Sequence, residues 1–372
     1  MEDHRADFGD LRPLQGKALG AHRLPNLRHI RQATRAGRLI MARVALDLLG
    51  GDGAPEVVAD AVAALDLDAL DIDLVLVGPP ALAGELLTAR GINIAKSPRL
   101  TTLTATSGVP MSGDPLSYVR SHPEVSAMVA AGAVGAGVVD AWVSVGHSGA
   151  SVSAAVLSCG RVAGMSRPAL AVVLPATSGP VVLVDVGAAL EATAGVLTQF
   201  AMAGWCYAIA LGLDDPAVGL LNIGSEAGKG DALRLAADTM MQDRLPDLGV
   251  RYAGSVEGHD VATGARAQVI VTDGFTGNVL LKGIEGAVGW AAQQLALAYG
   301  DPKPAREVVA GTATGDFAAG MLLGVNGITV IGHGAGRPNE IAACVRLAAR
   351  AANSDLIGLT QRTLSALLER AR

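Results

Sequence analysis

The chain has 372 residues, a formal net charge of −6, a hydrophobic fraction of 50% and only 3% aromatics. That is enough Ala, Val and Leu for one large α/β domain or two smaller ones, and the acidic balance, with no basic aromatic-interleaved stretch in the main body, argues against a nucleic-acid partner. Cys159, Cys206 and Cys344 are too few and too scattered for a disulfide or zinc framework, and no apolar run is long enough to span a bilayer, so the sequence predicts a cytoplasmic protein.

Residues 1–40 are rich in Arg and His, lack the apolar core of a signal peptide, and end at Met41. They read as a disordered basic extension, or as the product of a start codon upstream of Met41, with residues 41–372 forming one domain around a central cleft. From Met41 onward short apolar runs alternate with helical patterns. Strands are expected at Val44–Asp47, Leu74–Val77, Ala141–Val145, Ala169–Leu174, Val181–Val186, Val218–Ile223, Val269–Thr272 and Ile328–Ile331. Ala-rich helical patterns fall at Val125–Gly137, Leu197–Leu211, Asp231–Asp243 and Glu340–Ala352. Near-continuous apolar strands alternating with helices predict a three-layer α/β/α fold with a mostly parallel sheet covered on both faces. A proline- and glycine-bearing stretch, Gly300–Asp316, reads as a hinge or flap.

Glycine and polar residues follow these strands, at the sheet edge where open α/β folds bind ligands. Asp47 leads into Gly50, Gly51 and Asp52, and Ser144 into Gly146, His147, Ser148 and Gly149. Asp185 precedes Gly187, Asn222 precedes Gly224 and Glu226 with Lys229 behind, and His333 closes the last strand. The most informative turn is Val269-Ile-Val-Thr-Asp-Gly-Phe-Thr-Gly-Asn-Val-Leu-Leu-Lys282. A strand stops at Asp273-Gly274, and a helix begins near Thr276 with an apolar stripe through Leu280, Leu281 and Ile284. Unpaired amides at such a helix start, together with the helix dipole, favour phosphate or another oxyanion. Gly274 and Gly277 permit close backbone approach, and Phe275, Thr276, Asn278 and Lys282 complete the candidate cradle. The alternative is a plain N-capped connection. Glu285 is placed one turn from Lys282 as its ion-pair partner.

Six of these segments together carry a resemblance. Asp47-x-x-Gly-Gly-Asp52, Ser144-x-Gly-x-Ser-Gly-Ala150, Gly160-Arg-x-x-Gly-x-x-Arg-Pro-Ala-Leu170, Asp185-Val-Gly-Ala188, Gly219-Leu-Leu-Asn-Ile-Gly-x-Glu-x-x-Lys-Gly230 and Thr272-Asp-Gly-Phe-Thr-Gly-Asn-Val279 are collinear. As a set they resemble the acyl-carrier-protein:phosphate acyltransferases of bacterial phospholipid synthesis. The resemblance implies a fold similar to phosphotransacetylases and isopropylmalate dehydrogenases. It also implies transfer of a long-chain acyl group from acyl-[acyl carrier protein] to inorganic phosphate. The acyl phosphate would pass to a membrane glycerol-3-phosphate acyltransferase, and the enzyme would be a homodimer touching the membrane surface.

Phosphate is itself the nucleophile in such a reaction, so no activated Ser or Cys is required, and neither a cofactor nor a metal is expected. The protein must orient the anion, stabilise a tetrahedral oxyanion and release a thiolate. Lys282, Asn278, His147 and Lys229 are the candidate catalytic residues, with His147 donating a hydrogen bond or a proton to the thiolate. Arg167 and Lys229 are candidate counter-charges for phosphate. The alternative readings pair Arg167 with a carboxylate at the entry to its strand, make His333 a core histidine, and have Asp47 and Asp185 hold their own turns.

The chain departs from the family pattern at several points. His147 and Ala189 stand where the family has Asn, and Asp316-Phe-Ala-Ala-Gly320 replaces a typical Asn-Tyr-Gly-Gly-Ala. The basic segment is reduced to Leu116-Ser-Tyr-Val-Arg120-Ser-His-Pro-Glu124, which weakens a docking surface for an acidic carrier protein. The apolar membrane hairpin is replaced by the polar Tyr299–Glu307, predicting weaker peripheral contact with the inner face of the membrane. Two other readings stay open: an acyl-CoA-dependent phosphotransacylase, and a non-catalytic scaffold or regulator of lipid synthesis.

Overall fold

The computed structural model describes residues 41–313 and 319–369. The expected basic extension, and residues 314–316 of the expected hinge, lie outside the described residues. The strands are β1 (Ala42–Asp47), β2 (Ile72–Gly78), β3 (Leu100–Thr104), β4 (Ala141–Ser144), β5 (Ala169–Leu174) and β6 (Val181–Val184). They continue with β7 (Val218–Leu221), β8 (Tyr252–Val256), β9 (Val269–Val271), β10 (Ala319–Leu323) and β11 (Ile328–Gly332). The helices are α1 (Glu56–Ala63), α2 (Leu67–Leu70), α3 (Pro80–Thr88), α4 (Pro115–Ser121), α5 (Ser126–Gly135), α6 (Ser148–Cys159) and α7 (Ala194–Ala210). After these come α8 (Ala232–Arg244), α9 (Gly258–Thr263), α10 (Gly274–Tyr299), α11 (Lys303–Ala313), α12 (Pro338–Asn353) and α13 (Leu356–Glu369).

The chain forms two compact units, each assembled from two stretches of sequence. Unit 1 takes the chain up to Arg161 and then Val325–Ser354; unit 2 takes Val162–Gly324 and the chain from Asp355. In unit 1 the strand order is β3-β2-β1-β4-β11, every pairing parallel. Helices α5 and α12 both lie against β1 and β4. The indole of Trp142 in β4, fully buried, donates to Thr329 Oγ1 in β11 at 2.8 Å, so the largest core side chain has its one polar atom satisfied.

In unit 2 the order is β10-β5-β6-β9-β7-β8. The pairings of β6 with β9, β9 with β7 and β7 with β8 are parallel, whereas β5 runs against both β6 and β10. The expected mostly parallel sheet is present, with β5 reversed. The unit shows why its strands read as unbroken apolar runs. Val184 and Val269 face α7, where Gly204 sits so close that a Cβ would come within 2.9 Å of both valines. Leu183 and Ile270 belong to the opposite cluster, against which Leu280, Leu281 and Ile284 of α10 pack. Each strand is therefore covered on both sides, the condition under which alternation disappears from the sequence.

The stretch expected as a hinge is a helix from Lys303 to Ala313. Gly300 ends α10 in the left-handed conformation (φ 65°), and α11 begins at Lys303 with Pro304 in its first turn, a position that needs no amide donor. The Asp301 carboxylate accepts the Lys303 amide at 2.9 Å, which explains why a proline-bearing segment starts a helix here.

Candidate functional site

In unit 2 the polar turns follow β6, β7 and β9, and the most closely packed of them is the start of α10. Asp273 is its N-cap: Oδ1 accepts the Thr276 amide at 2.9 Å and Oδ2 the Thr276 hydroxyl at 2.9 Å. The Gly277 amide donates to the Asp273 carbonyl at 2.9 Å, and the Gly274 amide reaches the Ala189 carbonyl at 2.8 Å. The helix therefore begins at Gly274, two residues before the expected start. Three of the amides in the expected cradle already have acceptors within the protein. The Asn278 side-chain amide, too, donates inward, to the Val186 carbonyl at 3.0 Å.

These contacts press the start of α10 against the turn that follows β6. A Cβ on Gly274 would lie 2.6 Å from the Ala189 carbonyl oxygen, and one on Gly277 would overlap the Asp185 carbonyl oxygen. The two glycines are thus required by close approach. The turn itself is organised by Asp185, which is fully buried. Its Oδ1 accepts the amides of Leu170, Gly187 and Ala188 at 2.8, 3.0 and 3.0 Å, and Oδ2 that of Ala189 at 2.6 Å. Gly187 adopts φ 138°, open to glycine. Burial pushes the Asp185 carboxyl up to about 6, against the downward pull of the four amides.

The turn after β7 is held by Asn222, whose Nδ2 donates to the Lys229 carbonyl at 2.9 Å and to Ser255 Oγ at 3.0 Å. Glu226 and Lys229 are exposed on this loop, and a Cβ on Gly224 would meet Glu226 Oε2 at 2.7 Å. Behind the loop, Asp231 caps α8 by accepting the Arg234 amide at 2.8 Å. The Arg234 guanidinium then joins the elements. Nη1 donates to Asp231 Oδ2 at 3.0 Å, and Nη2 to Thr276 Oγ1 at 3.1 Å and to Asp273 Oδ2 in a short charge-assisted contact. Burial raises the Asp273 carboxyl, but hydrogen bonds from the Thr276 amide and hydroxyl and the nearby Arg234 charge outweigh it, leaving Asp273 below the usual carboxylate range.

Sequence reasoning missed Arg234. Its local signal was an ordinary i,i+3 pair with Asp231, whereas its decisive partner, Asp273, is 39 residues further along the chain. Lys282 lies deeper along α10, half-exposed, with Nζ 2.8 Å from Glu285 Oε2, the partner expected for it. Phe275 is exposed, and Arg167 is half-buried immediately before Pro168 and β5.

In unit 1 the turns follow β1, β4 and β11. Asp47 is buried, with Oδ1 accepting the Leu49 amide at 3.0 Å and Oδ2 the Ser144 hydroxyl at 2.8 Å. Burial pushes its carboxyl above the usual value. Like Asp185, Asp47 holds its own turn. Gly50 sits against Asp47, Ser144 and the Gly146 amide, Gly51 has φ 112°, and the Asp52 amide donates to the Gly334 carbonyl at 2.9 Å. His147 caps α6 with its ring: Nδ1 accepts the Gly149 amide at 3.1 Å. That assigns the neutral ring's proton to Nε2, which becomes a donor. Ser148 and His333 are exposed, so His333 is not a core histidine. Among the described residues no cluster of three or more His, Cys, Asp or Glu is arranged to hold a metal ion, and no helix is long and apolar enough to cross a membrane.

Residues 42–301 match the family model described as "Fatty acid synthesis protein". The chain is 37% identical over 331 residues to a phosphate acyltransferase of Desulfitobacterium hafniense, an alignment covering 85% of this chain and 95% of that one. It is 38% identical over 327 residues to a phosphate acyltransferase of Thermosynechococcus vestitus, covering 83% and 92%. Among solved structures, a phosphotransacetylase from Streptococcus pyogenes is similar in fold, with a TM-score of 0.59 at 17% identity, covering 87% of this chain and 98% of that one. A putative 4-hydroxythreonine-4-phosphate dehydrogenase from Salmonella typhimurium is similar at TM-score 0.52 and 14% identity, covering 83% and 99%. The fold expected from sequence, shared by phosphotransacetylases and dehydrogenases, is the fold found.

Proposed function

The chain belongs to the family of phosphate acyltransferases, and we propose that its acyl donor is a long-chain acyl-[acyl carrier protein]. It is an acyltransferase that moves an acyl group to phosphate for lipid synthesis. A phosphate oxygen attacks the thioester carbonyl carbon, a tetrahedral oxyanion forms, the C–S bond breaks and the thiolate leaves. What the protein contributes is orientation of the anion and stabilisation of charge. The observation that carries this reading is the start of α10, where the dipole of a 26-residue helix, two close-approach glycines and the guanidinium of Arg234 meet.

Phosphate is assigned to that helix start, with the rim of the turns at Gly187 and Gly224–Lys229 around it. Lys229, exposed on its loop, acts as a counter-charge; Lys282 does so if Nζ leaves Glu285. Asn278 and Asp185 act by holding the turn against which the helix is pressed. The departing thiolate takes a proton from solvent, and His147, whose own cap bond in unit 1 leaves Nε2–H as a donor, is proposed to give a hydrogen bond rather than that proton. Asp47, Gly50, Gly51 and Asp52 shape the turn beside it.

We also propose that the enzyme is a homodimer with weak peripheral membrane contact, its acyl phosphate consumed by a membrane glycerol-3-phosphate acyltransferase. Support comes from the second half of α10, where Trp290, Leu297 and Tyr299 are 66%, 70% and 72% exposed, more large apolar surface than a free helix face usually leaves to water.

The test is to incubate the protein with radiolabelled phosphate and either palmitoyl-[acyl carrier protein] or palmitoyl-CoA, and to look for label in extracted acyl phosphate. Product from the carrier-protein thioester is expected. Product from the CoA thioester alone would transfer the assignment to a CoA-dependent phosphotransacylase, and none from either would sink the catalytic reading in favour of a scaffold.

A further inference from the structure

Large apolar side chains stand in water on the turns where three neighbouring strands of unit 2 end. Leu190 follows β6, Ile223 follows β7, and Phe275 and Val279 lie in the first turns of α10 after β9; each is more than half exposed, Ile223 at 82%. Register sets them side by side. Val271 of β9 is level with Val184 of β6 and with Leu220 of β7, so the chain leaves the three strands at one height. Because β9 lies between β6 and β7, the α10 pair falls between Leu190 and Ile223, in a row roughly 10 Å across two strand spacings. Phe275 and Val279, four residues apart, share one face of their helix.

The backbone beneath these side chains is pinned. The Gly274 amide on the Ala189 carbonyl, at 2.8 Å, ties the turn of Leu190 to that of Phe275, and Asn278 Nδ2 on the Val186 carbonyl, at 3.0 Å, ties it again beside Val279. The Ile223 amide donates to Asn222 Oδ1 at 2.8 Å, and Asn222 is itself fixed by Lys229 and Ser255. Apolar groups held in water in this way add nothing to the core; surface of this kind marks a binding site.

We propose that Leu190, Ile223, Phe275 and Val279 form the seat of the acyl chain, and that this row sets a preference for long chains over short ones. The inference rests on the reading that the donor is an acyl thioester, and not on where phosphate binds. Size points to this occupant. Together the four side chains expose on the order of 500 Å² of apolar surface, within the range of patches that are often functional on a monomer. A stable interface with a second copy takes about 800 Å² from each partner. A long hydrocarbon chain, at roughly 30 Å² per methylene, matches the smaller figure. A four-carbon chain is too short to cross from one turn to the next. Trp290 lies roughly 16 Å further along α10 than Val279, so the row is separate from the surface proposed for membrane contact.

The test compares kcat/KM for palmitoyl and butyryl thioesters of the same carrier. Wild type should prefer palmitoyl at least about tenfold. Phe275→Ser and Leu190→Ser should each lower kcat/KM for palmitoyl about tenfold, chiefly through KM, and change it less than about threefold for butyryl. All four side chains are largely in water, so the variants are expected to fold; should Phe275→Ser not, Ile223→Ser carries the same test. Equal losses on both chain lengths, or a preference unchanged in every variant, would overturn the inference. So would a dimer that dissociates in these variants with the preference intact, which would give the patch to a second copy of the chain.

Binding of the fluorescent fatty acid cis-parinaric acid, with no phosphate or thioester present, separates this inference from the functional reading. Should wild-type protein form no acyl phosphate yet bind the probe, with Kd raised about tenfold or more in the Phe275→Ser, Leu190→Ser double variant, the catalytic reading fails and the seat stands. Acyl phosphate formation with chain preference and probe binding untouched by the substitutions is the reverse result.

Discussion

Two buried aspartates at strand ends, Asp47 in unit 1 and Asp185 in unit 2, keep different company. Asp47 is met by hydroxyls as well as amides, Ser144 and Leu49 among them, whereas Asp185 accepts four amides. Burial nevertheless raises both carboxyls. Asp273, with a guanidinium beside it, is lowered instead. Where burial is complete, at Asp47 and Asp185, hydrogen bonds do not outweigh the loss of solvent; at the less deeply buried Asp273 the Thr276 hydrogen bonds and the Arg234 charge together do. The site proposed for phosphate lies in unit 2, beside the Arg234 guanidinium, while the polar group that the β4 turn offers in unit 1 is a histidine ring with Nδ1 already occupied.

The strongest way to break this comparison is to crowd the two turns. Gly277→Ala would drive a methyl group into the Asp185 carbonyl, a backbone atom with nowhere to go, and should cost about 3 kcal/mol or more in urea unfolding and abolish acyl phosphate formation. Gly50→Ala meets two side-chain oxygens first, at 2.7 and 2.8 Å, and should cost roughly half as much. Equal costs would mean the two turns are equally pliable. Removing the acceptors comes next. Asp185→Ala strands four amides and should lose about 2–4 kcal/mol, against about 1–2 for Asp47→Ala.

Acidity sharpens the contrast within unit 2. The native state holds the Asp185 proton up to about pH 6, whereas the unfolded chain gives it up near the ordinary value of 3.8. Stability from this group thus falls as pH rises between those values, by on the order of 3 kcal/mol, and the penalty is complete above about pH 6. Asp273 has the opposite sign: its contribution is present above the ordinary carboxylate value and is lost as pH falls through its depressed native one. Asp185→Asn should erase the decline between pH 4 and 6, measured as the wild-type minus variant difference in unfolding free energy. A difference that stays flat across that window would assign the raised acidity elsewhere. The smallest effect on stability is expected at Lys282→Ala, within about 1 kcal/mol, because an ion pair half open to solvent holds little. Its turnover should fall by orders of magnitude, and a change under about threefold removes Lys282 from the catalytic group.

Eight of the strands were legible because each is an unbroken apolar run, and the reason is the double coverage seen at Leu183 and Val184. Three strands escaped; β10 (Ala319–Leu323) is as apolar and buried as those that were legible, while the other two differ in chemistry. At one edge, β3 (Leu100-Thr-Thr-Leu-Thr104) buries only its leucines, and at the other β8 carries Gly254 at φ 78° within Tyr252–Val256. Edge strands need less apolar sequence, so they announce themselves less. The turns of the candidate site were also legible, as glycine and polar residues after apolar runs. What could not be read was which turns press on each other. Gly274 and Gly277 are glycines because of Asp185 and Ala189, almost ninety residues earlier in the chain, and Arg234 looks like any first-turn arginine until Asp273 is placed beside it.

The order in which the ribosome delivers this chain follows from the interleaved segments of the two units. Unit 1 has all its sequence once Ser354 has been made, but unit 2 still lacks everything from Asp355 onward. The late piece is α13, which lies against α7 and buries Leu364 and Leu367, with Leu364 and Leu368 close to Gly164. Until it arrives, the nascent protein carries one unit with all its sequence and another with the flank of a largely buried helix still open to water.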